Sequence, residues 1–253
     1  MSNTLRDDVV VLRRADQRAT QAFGGVMRAN KPIIGGYSAD GRPSAAIFYW
    51  SHSVFVDDFE FGLHPHKGFE IVTFVLDGAN SHYDTAGKQW VALTSGDVQV
   101  IRSGSGISHN EKVAKGTRAF QIWFDPGYHA ALHREPSYTD YRAGQFVAYA
   151  NGPATVVDLI GGASPVHAET EGLSVRRAVV EGGGTVDLPV AEGTYTVAYF
   201  IDSSANVAGR AADVNDAVIV TGRDAVAIHA LGRADVFMVS VPAVPSYPPV
   251  RQR

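Results

Sequence analysis

No cysteine occurs anywhere in the 253 residues, which removes disulfide scaffolds, thiolate-bound zinc and thiol nucleophiles together. Any transition-metal chemistry must then rest on histidine and carboxylate. Long hydrophobic runs are missing as well, and none approaches the ~18 apolar residues of a membrane-spanning helix. Residues 1–8, MSNTLRDD, contain no apolar stretch and do not read as a secretory signal. Positive charge is modest and dispersed: 22 Lys and Arg face 26 Asp and Glu, so no basic surface for direct nucleic-acid binding stands out. No GxSxG elbow, P-loop or dinucleotide fingerprint appears in a strand-to-helix context. The Gly-rich run at 181–185, EGGGT, sits between strand-like segments and reads as a hairpin turn. The expectation is a soluble, cytoplasmic protein without membrane or direct nucleic-acid partners.

What is abundant points to β structure. Hydrophobic residues make up 45% and charged residues 19%, a balance that supports a buried core rather than disorder. Short β-branched and aromatic runs recur between Gly, Asp, Asn and Ser: EIVTFVL at 70–76, DVQVI at 97–101, AFQIWF at 119–124, TYTVAYFI at 194–201, DAVIV at 216–220 and DVFMVSV at 235–241. The best helical window, 128–135, is short. The fold class predicted is all-β, sandwich or barrel. An echo between FEIVTFVLDG from Phe69 and YTVAYFIDS from Tyr195, each followed some twenty residues later by an acidic strand start, suggests two barrels in tandem. The stretch 149–165, with NGP and GGASP, reads as the join, giving an N-terminal metal-binding domain over 1–148 and a C-terminal domain without metal ligands over 149–253.

The densest chemical signal is GLHPHKGFE at 62–70. Side chains two apart on a strand share a face, so His64 and His66 project together, and Pro65 suits a strand edge. A second pair, His109 and Glu111, follows the flexible turn RSGSG at 102–106. Two neighbouring antiparallel strands, each offering two inward ligands, would surround a first-row divalent metal with three imidazoles and a carboxylate. Glu70 has the same apparent parity as the two histidines, and periodicity does not choose between it and Glu111. His52 and His82 are candidates for the pocket mouth or its surroundings; His129 and His133 share a helical face if the helix runs that far; His167 falls in a loop. In the second half, LPVAE at 188–192 stands where the first has His-Pro-His, and His229 has no HxE partner.

Taken together, HPHKGFE at 64–70, LDG at 76–78, GDVQV at 96–100, SGSGISHNE at 103–111, QIW at 121–123 and EPSY at 135–138 resemble the pirin family of bicupins. The resemblance is clear over about residues 57–138. It implies two tandem cupin barrels, double-stranded β-helix or jelly-roll in type, and a metal bound by His64, His66, His109 and Glu111. Iron is the metal expected first, with copper, nickel, manganese, cobalt and zinc as alternatives. The implied activity is of the quercetin 2,3-dioxygenase type, cleaving a flavonol-like aromatic with O2, with Glu111 as proton acceptor and Glu70 hydrogen-bonded to a ligand histidine. The alternative is a metal-binding regulatory protein with a protein partner. Two departures, Lys67 in place of Arg and Val100 in place of a bulky Trp, bear on the pocket wall.

Overall fold

The β-branched and aromatic runs form strands because such side chains pack well on a pleated, half-buried surface. They lie in Glu70–Asp77, Val98–Arg102, Arg118–Phe124, Thr194–Asp202, Ala217–Thr221 and Ala234–Pro242. The computed structural model describes residues 8–252; residues 1–7, which carry most of the reading of the N-terminus, and residue 253 lie outside the described residues. The α-helix at Tyr128–Ala131 is one turn long. It starts at Gly127 without a side-chain cap, and Pro136 disfavours helical backbone at the residue before it. His133 therefore falls beyond the helix and shares no helical face with His129. No helix among the described residues is long and apolar enough to cross a membrane.

The chain forms two units. One comprises Arg18–Gln145 with the short segments Ala168–Thr170 and Tyr247–Arg253. Its larger sheet has the order 137–141, 98–102, 70–77, 118–124, 47–55, 27–34, 18–22, all antiparallel. Its smaller sheet runs 90–94, 79–84, 107–113, 59–60, with the strand His64–His66 also paired to 107–113. Aromatic residues supply much of the packing: Phe48, Phe69, Ile71, Ile101 and Ile107 form one buried cluster, flanked by Trp123 and Tyr128. The tail is held in this unit by Val250 N–H donating to Asp125 Oδ2 at 2.7 Å and Gln252 N–H donating to the Gly35 carbonyl at 2.8 Å.

The other unit comprises Met1–Gln17, Phe146–His167 and Glu171–Ser246. Its seven-stranded sheet has the order 8–12, 217–221, 194–202, 234–242, 174–180, 154–160, 148–151, facing a four-stranded sheet 185–189, 225–230, 205–207, 210–212. The echo in the sequence is now topological. Strands 70–77 and 194–202 hold the same place in their sheets, each between an acidic-start strand and a long partner. Strand Asp8–Leu12 pairs with 217–221, the place that 137–141 takes beside 98–102 in the first unit.

The stretch 149–165 is not a bare join. Ala148–Asn151 and Ala154–Ile160 form a hairpin that closes the seven-stranded sheet, with Gly152 at φ 56 in its two-residue turn. The β-branched run TVV at 155–157 outweighs the Gly and Pro that suggested a loop. The EGGGT turn likewise carries the chain from one sheet to the other rather than closing a hairpin. The interior of this unit is hydrocarbon: Val186, Leu188, Phe200, Val207, Val226 and Ile228 are buried together. Phe200→Ala leaves a cavity there, and urea melts are expected to show a loss of ~3–5 kcal/mol.

Candidate metal centre

Strand Ile107–Val113 buries Ile107, His109, Glu111 and Val113, so its period of two directs His109 and Glu111 to the same side. Strand His64–His66 lies antiparallel against it, with His109 opposite His64 and Ile107 opposite His66. Gly68 then ends this strand. Its φ of 78 favours glycine, and a Cβ there would strike the Tyr128 ring. The turn breaks the parity between the histidines and Glu70, which opens a strand of the other sheet.

The register brings three imidazoles together. Ring centroids are 4.3 Å apart for His64 and His109, 5.0 Å for His64 and His66, and 4.9 Å for His66 and His109. One ring nitrogen from each lies within 4.8 Å of the other two, and no second such group occurs among the described residues. His64 Nδ1 lies 2.9 Å from the Gly62 carbonyl. A carbonyl only accepts, so Nδ1 carries the proton and Nε2 keeps its lone pair. Both nitrogens of His109, 1% exposed, lack a hydrogen-bond partner, the condition of an imidazole built to bind something else. This donor set fits a borderline divalent metal.

Glu111 is buried at 4% exposure and stands apart from the three-histidine group. Its carboxylate accepts from Gln121 Nε2 at 3.2 Å and from Asn80 Nδ2 at 3.3 Å. Trp123 Nε1 donates to Gln121 Oε1 at 3.2 Å, so one chain of bonds runs from the indole to Glu111. Glu70 is fully buried, but its carboxylate points elsewhere. It accepts from the backbone N–H groups of Glu169 and Thr170 at 2.8 and 2.7 Å and from Thr170 Oγ1 at 2.5 Å, with Arg102 Nε 3.6 Å away. The expected bond from Glu70 to a ligand imidazole is not among these contacts.

Sequence reasoning offered His82 as a residue of the pocket surroundings but passed over Asn80 and Asp84 on the same strand. Ala79–Asp84 buries Asn80, His82 and Asp84, and its register sets His82 opposite Glu111 and Asp84 opposite His109. The alternation NxHxD at 80–84 was the available signal. His52 is buried against Phe120, ring centroids 5.0 Å apart, and does not reach a pocket mouth. His229 is exposed and bonded to Thr185.

Space adjoins the cluster at His66, and a separate cavity adjoins Glu111. A cleft of about 540 Å³ is lined by His66, Lys67, Phe69, Ile107, Trp123 and Tyr128, among others. A smaller cavity of about 80 Å³ touches Glu111, Asn80, Gln121, Thr73, Ser51 and Ser53.

Two jelly-roll units in one chain, one of them carrying a three-histidine cluster in its interior, define a bicupin. Residues 40–124 match the Pirin family model, and that stretch contains all three histidines and Glu111. A pirin-like protein of Caulobacter vibrioides is 36% identical over 121 residues, 46% of this chain and 52% of that protein. A quercetin 2,3-dioxygenase of Escherichia coli K12 is 28% identical over 189 residues, 73% of this chain and 77% of that one. The matching part spans 63% and 52% of the lengths of the relatives from Zymomonas mobilis and Caulobacter vibrioides. The bacterial pirin YhhW of Escherichia coli, solved in complex with nickel(II), shares the fold at a TM-score of 0.77 with 19% identity, covering 94% of this chain and 100% of that chain.

The cluster also sets a pH response. Burial pushes His66 down to about 4, aided by charge on His109 and His64 and opposed by Glu111. Burial drives His109 to about 3, aided by His64 and His82 and opposed by Asp84. An unfolded histidine titrates near ~6.5. As pH falls from there towards about 4, the unfolded chain takes up protons that the folded one refuses, so stability falls with pH. Urea melts of metal-free protein are expected to show this decline, with a shallower slope in His109→Asn.

Proposed function

We propose that the chain is a metal-dependent dioxygenase of the quercetin 2,3-dioxygenase type, acting on a flat, flavonol-like aromatic. In this reading His64, His66 and His109 hold one divalent metal, iron first, with nickel also favoured by the bound metal of YhhW, and Glu111 serves as the fourth ligand once its carboxylate turns from Asn80 and Gln121 to the metal. The division proposed is a metal-holding domain within 1–148 and a domain without ligands within 149–253, except that Asp8–Leu12 belongs to the latter's sheet and the segments 168–170 and 247–252 to the former. The observation that carries the proposal is the aromatic-walled cleft opening at His66. Its volume of about 540 Å³ suits a small ligand, whereas the cavity of about 80 Å³ at Glu111 has room only for molecules the size of water or O2.

Bound in this site, the metal would supply Lewis acidity to a chelating pair of substrate oxygens and a route for electrons to O2. The protein does the rest. Trp123, Phe69 and Tyr128 stack the aromatic system and exclude water. Lys67, at the cleft, offers a point charge to a deprotonated substrate oxygen. Glu111 accepts the hydroxyl proton, and the Asn80 and Gln121 amides hold its carboxylate in place. Glu70, with its oxygens committed to the 169–170 segment, braces the start of its strand rather than moving a proton.

Oxygen uptake with quercetin, after separate loading with iron, copper, nickel, manganese and cobalt, tests this. Uptake is expected with at least one metal, with loss of bound metal and of uptake in His109→Ala and a several-fold rise in KM in Trp123→Ala. Metal-loaded protein that consumes no oxygen with any of the five would overturn the enzyme reading and favour a metal-dependent binding protein.

A further inference from the structure

We propose that Asp84 and His82 form a positioning pair for His109, the last members of a buried chain that runs Asp84–His82–His109–metal. This rests on the metal reading of the histidine cluster.

His82 is fully buried, and Asp84 is 1% exposed. His82 Nε2 lies 3.0 Å from Asp84 Oδ2. The other oxygen of Asp84 accepts the backbone N–H groups of Ala86 and Gly87 at 2.8 and 2.6 Å, so the carboxylate is fixed by its own turn. A carboxylate held as an acceptor requires the proton of His82 to sit on Nε2. In the neutral ring this leaves Nδ1 of His82 as a lone-pair acceptor. It is buried and has no hydrogen-bond partner.

Next to it stands the complementary need. The His82 and His109 ring centroids are 5.3 Å apart, and both ring nitrogens of His109 are also buried without partners. A neutral imidazole that ligates through one nitrogen carries its proton on the other, and that N–H needs an acceptor in an interior without bulk water. His82 Nδ1, the unpartnered acceptor on the adjacent ring, supplies it through one bridging water. His64 meets the same need with the Gly62 carbonyl. His109, mid-strand with its neighbours' carbonyls engaged in the ladder, has a second imidazole instead. Cross-strand register explains the placement, since Asp84 is opposite His109 and His82 opposite Glu111. The pair selects one tautomer of His109, makes it a stronger donor and fixes its ring.

The test is nickel(II) binding by calorimetry to the full chain, beside side-chain histidine ¹H–¹⁵N spectra of the metal-free protein. His82→Phe keeps a ring of similar bulk and removes the acceptor. His82→Asn restores an acceptor near the Nδ1 position, and Asp84→Asn removes the charge that orients His82. Wild-type affinity is expected to fall about 10- to 100-fold in His82→Phe and Asp84→Asn, with partial rescue in His82→Asn. The metal-free spectra should show His109 as a single tautomer in the wild type and a mixture in His82→Phe. Thermal melts of the metal-free variants identify any that fail to fold; a purely structural role would leave the His109 tautomer and the Asn rescue without effect. Equal affinities and equal His109 tautomers in folded wild type and His82→Phe would overturn the inference alone. A wild-type chain that binds no nickel(II), iron(II) or copper(II) would overturn the metal reading and this inference with it.

Discussion

The site depends on one stretch of β-pairing: three residues, His64 to His66, laid antiparallel on Ile107–Val113. That register converts two sequence pairs separated by some forty residues into a single cluster of imidazoles. A slip of one residue would turn His109 and Glu111 to the opposite face, because the side-chain period is exactly two. The pairing is short and ends at a glycine turn, so the surroundings must hold it. Phe69, Ile107, Trp123 and Tyr128 pack around its exit, and the turn at 103–106 is tied back to Phe69 through Ser103, whose hydroxyl donates to the Phe69 carbonyl at 2.8 Å. Gly68 lets Tyr128 approach closely enough to complete that wall.

The two units share a strand order and differ in what they bury. In the first, the smaller sheet turns His109, Glu111, His82, Asp84 and Asn80 inward. In the second, the corresponding strands turn Val186, Leu188, Val226, Ile228 and Val207 inward. Burying unpaired polar groups costs free energy, whereas burying aliphatic side chains is favourable. The first unit meets this cost with bonds among its polar groups: Asp84 to His82 and to its own turn, and Gln121 and Asn80 to Glu111. His109 and the adjacent His82 keep buried ring nitrogens without hydrogen-bond partners at and beside the cluster. This is the pattern expected of an interior arranged around a ligand rather than one tolerating defects.

Much of this was legible in the sequence because periodicity is local. Strands announce themselves by β-branched runs, and HxH and HxE declare shared faces wherever the strand is unbroken. The reading failed where a local signal was outweighed or interrupted. At 148–160 the Gly and Pro of a tight hairpin looked like a linker, although the β-branched residues beyond them build a strand of the sheet. At 64–70 parity seemed to link Glu70 to the histidines, but Gly68 intervenes and the chain changes sheets. At 80–84 His82 was offered as a residue of the pocket surroundings, but without a partner strand nothing marked its alternation with Asn80 and Asp84 as inward or set the row beside His109.

The sequence by itself determined the β architecture and which half carries the histidines, since each follows from residue type and spacing within short segments, and it indicated the duplication through the echo between the segments from Phe69 and Tyr195. Only the tertiary structure decided which side chains from different strands meet, where each carboxylate points and where the chain's first strand pairs. Those outcomes depend on register between segments far apart in the chain: Asp8–Leu12 pairs with Ala217–Thr221, and Glu70 receives backbone donors from residues 169 and 170. No local pattern encodes a partner a hundred or two hundred residues away; the burial of the whole core selects it.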